Sequence, residues 1–334
     1  MEETHYQTQQ SFQMGLEFDS NTFKSLADTR KDFLARVLFQ AKGKMTAPSN
    51  SVLGWEYQGG AKKFFQYQEQ DLFIQNFSTF LDIPMGSMGR IYWNTQFKYQ
   101  NERNEKDSAL LDVNEDFFLG GTDLGLRFFL PEQTTFTVNQ HFDYFNFIAV
   151  DNFSYVHLST SARLSRTIEN KLVLGGEYQY SRQNFSSSTR LDQTQSFSFF
   201  GQLLTVPFLS VQYSFLDSTS TSQNFSYRNH KISLIQSFVW GENQDHDPKY
   251  GLHVIANLQF KKFPSVIFVD SEGQRLLLSD SEDENFNSFV FKCSYHPSKR
   301  LSIENKLSYI GDNFSSQSRD FQRITNYIGF RLDI

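Results

Sequence analysis

Apolar and polar residues alternate with a period of two along most of the chain, the pattern of strands with one greasy and one wet face. Phe136, Val138, Phe142 and Tyr144 alternate with Thr137, Asn139, His141 and Asp143. The same holds for Ile91, Trp93, Phe97 and Tyr99 against Tyr92, Asn94, Gln96 and Lys98, and for Leu252, Val254, Ala256, Leu258 and Phe260 against His253, Asn257, Gln259 and Lys261. Such runs last 10 to 15 residues. Strands of ordinary domains cluster around about 5–6 residues, whereas a tilted strand that crosses a bilayer needs about 9–11.

Strands are predicted over 10–19, 32–46, 51–60, 71–83, 88–101, 118–130, 134–148, 153–167, 171–184, 194–206, 208–218, 227–240, 250–263, 286–297, 300–312 and 322–334, about 16 in all. The first three carry the weakest alternation, which leaves 14 as the alternative count. The connections alternate in kind. Tight turns fall at Ile83-Pro84-Met85-Gly86, Pro131-Glu132-Gln133, Thr167-Ile168-Glu169-Asn170, Val206-Pro207 and His296-Pro297-Ser298-Lys299, with a further one at Asn243 to Pro248. Longer polar stretches lie between them, at 101–115, 186–193, 218–223 and 270–285.

Short turns on one side and long loops on the other are the layout of a membrane barrel. The expected fold is therefore all-β: a transmembrane up-and-down antiparallel barrel forming one domain over 1–334, with a flexible N-terminal segment at 1–9. A propeller would also repeat about every 40 residues. Its blades use shorter strands and carry Trp-Asp or Gly-His signatures, which this chain lacks.

Composition sharpens this picture. The chain holds 37 Phe and 15 Tyr beside 7 Pro and 1 Cys, yet its mean hydropathy is -0.49, so it is aromatic and polar at once. No stretch approaches the roughly 20 apolar residues of a spanning helix. A net charge of -6 with no basic runs gives no support for nucleic-acid binding. Cys293 is the single cysteine, and no C-x-x-C or H-E-x-x-H spacing occurs, so no motif for a metal or cofactor is present. Met1 to His5 lacks the charged and apolar regions of a secretory signal. An outer-membrane location then requires an export signal outside this sequence.

The ends carry two resemblances. In "NYIGFRLDI", Ile328, Phe330, Leu332 and Ile334 alternate with Gly329, Arg331 and Asp333 to the last residue. This resembles the C-terminal strand by which bacterial outer-membrane barrels are recognised for assembly, although that pattern prefers a terminal aromatic where Ile334 stands. Gly15-Leu16-Glu17-Phe18-Asp19-Ser20-Asn21 resembles the opening strand of barrel domains in exopolysaccharide and surface-lipoprotein export proteins, over seven residues. The resemblances imply outer-membrane lipid and lipopolysaccharide as surroundings, barrel assembly machinery as a partner through 322–334, and further envelope proteins as possible partners.

A wide barrel points its polar residues into the lumen. The inward candidates from the alternation are Arg36, Lys42, Glu56, Lys98, Arg127, His141, Asp143, Arg163, Glu177, His253, Lys261, Lys292, Glu304, Lys306 and Arg331, with Lys44, Asp82 and His157 beside them. Bases outnumber acids in this set. Acids gather instead in expected loops, at Glu102, Glu105, Asp107, Asp112, Glu115 and Asp116 and at Asp280, Glu282, Asp283 and Glu284. A net-basic wall raises the local concentration of anions, although inward charges of both signs also pair and solvate without any selective role.

The tripeptide Asn-Phe-Ser occurs five times, at residues 76, 152, 184, 224 and 313. Four copies fall where a strand meets a long loop, which places Phe near an aromatic girdle and Asn and Ser in the turn. Leu276-Leu277-Leu278 is a candidate constriction or partner contact. No G-x-S-x-G elbow accompanies His141 and Asp143, so catalysis is not expected. The expected function is a channel for a hydrophilic solute or exported polymer; the alternative is a plugged barrel that anchors or assembles an envelope complex.

Overall fold

A computed structural model of the chain describes residues 4–21, 30–102, 116–148, 154–186, 188–222, 225–262, 287–311 and 322–334. Sixteen strands follow one another: β1 (His5–Asp19), β2 (Asp32–Thr46), β3 (Val52–Phe64), β4 (Leu72–Pro84), β5 (Gly89–Glu102), β6 (Phe117–Leu130), β7 (Thr134–Phe147), β8 (Tyr155–Ile168), β9 (Leu172–Phe185), β10 (Leu191–Leu203), β11 (Phe208–Ser220), β12 (Tyr227–Glu242), β13 (Pro248–Lys262), β14 (Asn287–Tyr295), β15 (Leu301–Gly311) and β16 (Gln322–Asp333). Each pairs antiparallel with its sequence neighbours, and β1 closes on β16 from Ser11↔Asp333 to Asp19↔Thr325. The count is thus 16 and not 14. Closure removes every sheet edge, so each strand finds ladder partners on both sides.

The largest boundary differences from the sequence pattern fall at β1, β3 and β10, the last of which spans Leu191–Leu203 where the alternation predicts 194–206. The first strand starts at His5, and the segment His5–Gln10 pairs with Ala41–Thr46 of β2. Its "HYQTQQ" sequence has no apolar face, so the pairing comes from the partner strand and leaves no periodic trace. β3 runs to Phe64, through Gly59 and Gly60, which carry no side chain to alternate.

The short connections use left-handed residues. Glu132 and Gln133 have φ of 56° and 55°, and Glu169 and Asn170 have 49° and 55°. Positive φ at both central positions matches the twist of the flanking strands in two-residue hairpins. The turns are closed by Thr134 N–H donating to the Pro131 carbonyl (3.2 Å) and Lys171 N–H donating to that of Ile168 (2.9 Å).

Polarity is inverted relative to a water-soluble fold. Among the described residues the buried apolar side chains are Leu34, Ala41, Phe64, Phe200 and Tyr327, while Glu17, Asp19, Asn229, Glu304 and several serines are buried. Leu16, Phe77, Phe97, Leu124, Leu158 and Ile328 stand exposed on the outer face. An exposed apolar surface that girdles a closed sheet is stable where the surrounding solvent is hydrocarbon. At the short-turn rim Trp240, Tyr250 and Tyr295 stack in a row with centroids 5.8 and 5.6 Å apart. Such rings suit the interface between lipid and water.

The seam depends on two glycines. Gly15 and Gly329 face each other across β1 and β16, and the Tyr327 ring lies over both on the inner face. A Cβ at Gly15 would stand 2.6 Å from Tyr327 Cε2, and one at Gly329 would overlap the Tyr327 hydroxyl and the Met14 carbonyl. Tyr327 is 3% exposed.

Candidate functional site

Because side chains alternate along each strand and cross-strand partners share a face, the register decides what lines the interior. Three stretches of inner wall differ in chemistry.

The first is basic and runs from β14 through the seam to β3. Arg36 lies opposite Lys62, and Lys292 opposite Lys306. Glu17 is 4% exposed and takes Lys62 Nζ at 2.9 Å and Arg36 Nη1 at 3.5 Å. Glu304 accepts from Lys292 Nζ at 2.7 Å and from Gln13 Nε2 at 3.0 Å. Four cations therefore share two carboxylates. Toward the short-turn rim, Lys42 lies opposite Glu56, which accepts from Gln40 Nε2 at 2.6 Å, and Arg331 donates to Asp333 at 2.9 Å. Lys42, Lys44 and Glu56 help line a cavity of 880 Å³ there.

The second stretch crosses β4 to β9 and carries both signs. Arg90 lies opposite Arg127; Asp82 holds the first at 2.5 Å, and the second stands over the Tyr92 ring. Arg163 is 4.0 Å from Glu177 and 4.0 Å from the Phe200 ring centre. Thr137 pairs with both Arg127 and Arg163, and four positions further along β7 His141 sits between two carboxylates, with Nδ1 2.6 Å from Asp123 and Nε2 against Asp143. Asn94 and Asn139 donate to Asp123, both at 3.4 Å.

The third, β10 to β13, is hydroxyl-rich, with Lys231 and Lys261 on the same face. Ser198 and Ser214 hydroxyls are 2.8 Å apart, Ser233 donates to Asn257 at 2.8 Å, and His253 Nδ1 meets the Ser237 hydroxyl at 2.8 Å.

An aromatic arc follows the inner wall at the long-loop end. Phe117 stacks on Phe145 (4.8 Å), Phe145 on Tyr155 (5.0 Å, planes 4° apart), and Tyr155 meets Phe185 at 5.7 Å. Lys98 stands 4.9 Å over Phe117. The Arg190 guanidinium lies 4.3 Å from Phe185 and 3.6 Å from Phe225, and Lys261 lies 4.2 Å from Tyr227.

The register places every inward candidate on the face opposite the exposed apolar rows, from Arg36 round to Arg331. The sequence reading omitted Glu17, Lys62, Asp123, Arg190 and Tyr327. Glu17 alternates with Leu16 and Phe18 and was legible as inward; Lys62 lay past the expected end of its strand. Asp123 gains its meaning only from His141, eighteen positions away. Phe185, in one Asn-Phe-Ser copy, faces inward and joins the arc, so the aromatic-girdle expectation does not hold there; the copy at Asn76 does present Phe77 outward. The copy at Asn313, most of that at Asn152, the leucines 276–278 and the acidic loop residues other than Glu102 and Asp116 lie outside the described residues.

No protein-family model matches the chain, and no curated protein matches it. Among solved structures, a triple mutant of the Rhodopseudomonas blastica porin is similar over 99% of this chain and 100% of that one, at 7% identity and a TM-score of 0.44. A bacterial polysaccharide outer membrane secretin is similar over 97% of each chain, at 7% identity and a TM-score of 0.48. The fold's own geometry defines the class: a porin-like closed barrel of 16 antiparallel strands with an apolar exterior and a polar interior.

Proposed function

We propose that this barrel sits in a bacterial outer membrane and forms a channel for hydrophilic solutes, anionic ones favoured, or for an exported polymer of that chemistry. The observation that carries the reading is the inversion of polarity, with the basic stretch inside it. Like charges placed directly opposite on adjacent strands destabilise a sheet, and Arg36/Lys62 and Lys292/Lys306 are two such pairs. A wall that keeps these pairs with too few carboxylates to offset them concentrates anions beside it. The aromatic arc adds flat faces at one mouth, flanked by Lys98, Arg190 and Lys261. Such surfaces suit ring-shaped polar solutes with one apolar side.

No bond-making step belongs to this reading. Both ring nitrogens of His141 are engaged by carboxylates, so neither is available to activate a serine in the manner of a hydrolase triad. The surroundings proposed are outer-membrane lipid and lipopolysaccharide, with β16 as the strand that assembly machinery engages and envelope proteins as further partners.

The test is reconstitution into a planar bilayer under a potassium chloride gradient. Discrete conductance steps with a reversal potential on the chloride side support the channel. An inserted barrel that conducts nothing sinks it and favours the plugged, anchoring role.

A further inference from the structure

We propose that His141, Asp143 and His157 form a binding site for a divalent cation of the zinc type on the inner wall. Two of the ligands alternate on β7 and point inward together, and His157 on β8 is the direct cross-strand partner of Asp143. One donor atom from each lies within 4.8 Å of the others. The His157 Nδ1 to Asp143 Oδ2 distance is 3.6 Å, and the two imidazole rings are 5.6 Å apart. Zinc holds nitrogen and oxygen donors at about 2.0–2.2 Å in a tetrahedron, which sets donors roughly 3.3 Å from one another. Modest side-chain rotations cover the difference.

The surroundings are arranged as those of a metal ligand are. Metal-binding histidines commonly give their second ring N–H to a carboxylate, which fixes the ring and the tautomer. Asp123 stands 2.6 Å from His141 Nδ1 and is itself held by Asn94 and Asn139. Nδ1 donates to Asp123 and Nε2 to Asp143 in the metal-free protein; a divalent cation would displace the Nε2 proton to solvent and take the lone pair this leaves, together with Asp143 and His157. Asp143 Oδ1 is buried and without a hydrogen-bond partner. Its seat exists because residue 121, opposite, is glycine: a Cβ there would overlap that oxygen.

Charge and access point the same way. Two carboxylates, Asp123 and Asp143, flank a His141 ring that donates from both nitrogens, and a divalent cation in place of the Nε2 proton offsets the negative charge that remains. The three side chains are 16 to 22% exposed, so an ion reaches them from lumen water. Three protein ligands leave a fourth position open to that water. Two imidazoles and one carboxylate select zinc, nickel or copper over magnesium and calcium, which prefer oxygen alone. The site shares no residue with the basic wall and stands whether or not the barrel conducts.

The deciding experiment is calorimetric titration of zinc chloride into the full chain in detergent, stripped of metal by chelator and free of any polyhistidine tag, with magnesium chloride as comparison. Zinc is expected to fill one saturable site that magnesium does not. His157→Ala and Asp143→Asn should weaken it at least tenfold, Asp123→Asn by about 10- to 100-fold, and His246→Ala, at an exposed turn, not at all. Equal zinc affinity in wild type, His157→Ala and Asp143→Asn overturns the proposal, as does the absence of zinc binding to wild type. If those variants lose the folded band on unboiled gels, the cobalt-loaded wild type decides. Intense visible bands of low-coordinate cobalt with nitrogen ligands support the site, and the weak spectrum of hydrated cobalt refutes it.

Discussion

Lys292 and Lys306 stand directly opposite each other across β14 and β15, with Glu304 2.7 Å from Lys292 and no carboxylate within ion-pair distance of Lys306 among the described residues. A cross-strand pair of like charges costs roughly 0.2–1 kcal/mol relative to a neutral pair. Lys306→Gln is therefore expected to raise stability by an amount of that order while removing one fixed positive charge from the wall. In bilayers it should move the reversal potential toward the cation side. An unchanged ion preference, with the channel otherwise intact, would show that the β14 to β3 wall does not select the solute.

The seam makes a second prediction. Tyr327 fills the space over Gly15 and Gly329 and is nearly excluded from solvent. Removing a buried aromatic ring typically costs about 3–5 kcal/mol, so Tyr327→Ala should lower the denaturant midpoint of the compact band on unboiled gels. Gly329→Val goes further, because its branched side chain would meet the Met14 backbone across the closing pair. It should yield no compact band at all. A Gly329→Val protein that still migrates as a folded barrel would mean that β1 and β16 close in another register.

These cases mark what the sequence discloses. Leu252, Val254, Ala256, Leu258 and Phe260 announce their outward face because lipid demands an unbroken apolar row. Glu132 and Gln133 were legible as a turn through the neighbouring Pro131, although their left-handed conformation was not. His5 to Gln10 gave no periodic signal, since both faces there are polar and β2 supplies the pairing. The cluster around His141 was half visible: His141 and Asp143 lie two positions apart on one face, but Asp123 and His157 join them only through the registers of β6 with β7 and β7 with β8. Alternation tells which face a residue occupies. It carries no information about height along the neighbouring strand.

Phe77 tests the outer face. It sits mid-strand on β4, is 41% exposed, and has Tyr57 and Phe97 as cross-strand partners. An arginine on the lipid face of a barrel costs about 2–4 kcal/mol near the bilayer midplane and roughly 0–1 near the interfaces. Phe77→Arg should therefore reduce the stability of the barrel in lipid vesicles by an amount in the upper range, measured by tryptophan emission through a urea series. Ser78→Arg, one position along and facing the interior, should cost far less. Equal losses at both positions would remove the distinction between lipid and lumen faces on which the fold reading rests.

Arg190 carries the last prediction. Its guanidinium donates to both carboxylate oxygens of Asp192, with Nη2 2.7 Å from Oδ2, and lies across the Phe185 and Phe225 rings, so one side chain ties the start of β10 to the arc. Lysine keeps the charge but lacks the planar fork that makes two parallel bonds and stacks on rings. Hydrogen bonds to charged groups contribute about 1.5–3 kcal/mol each, and the loss falls on a loop rather than on the ladder. Arg190→Lys is thus expected to leave the denaturant midpoint of the whole barrel near that of wild type while opening the chain after Phe185 to proteolysis. Limited digestion with chymotrypsin in detergent, read by mass spectrometry, should show cleavage after Phe185 severalfold faster in the variant. Equal cleavage rates would mean that charge alone at residue 190 protects the Phe185 site, and that the fork and the two ring faces add nothing to it.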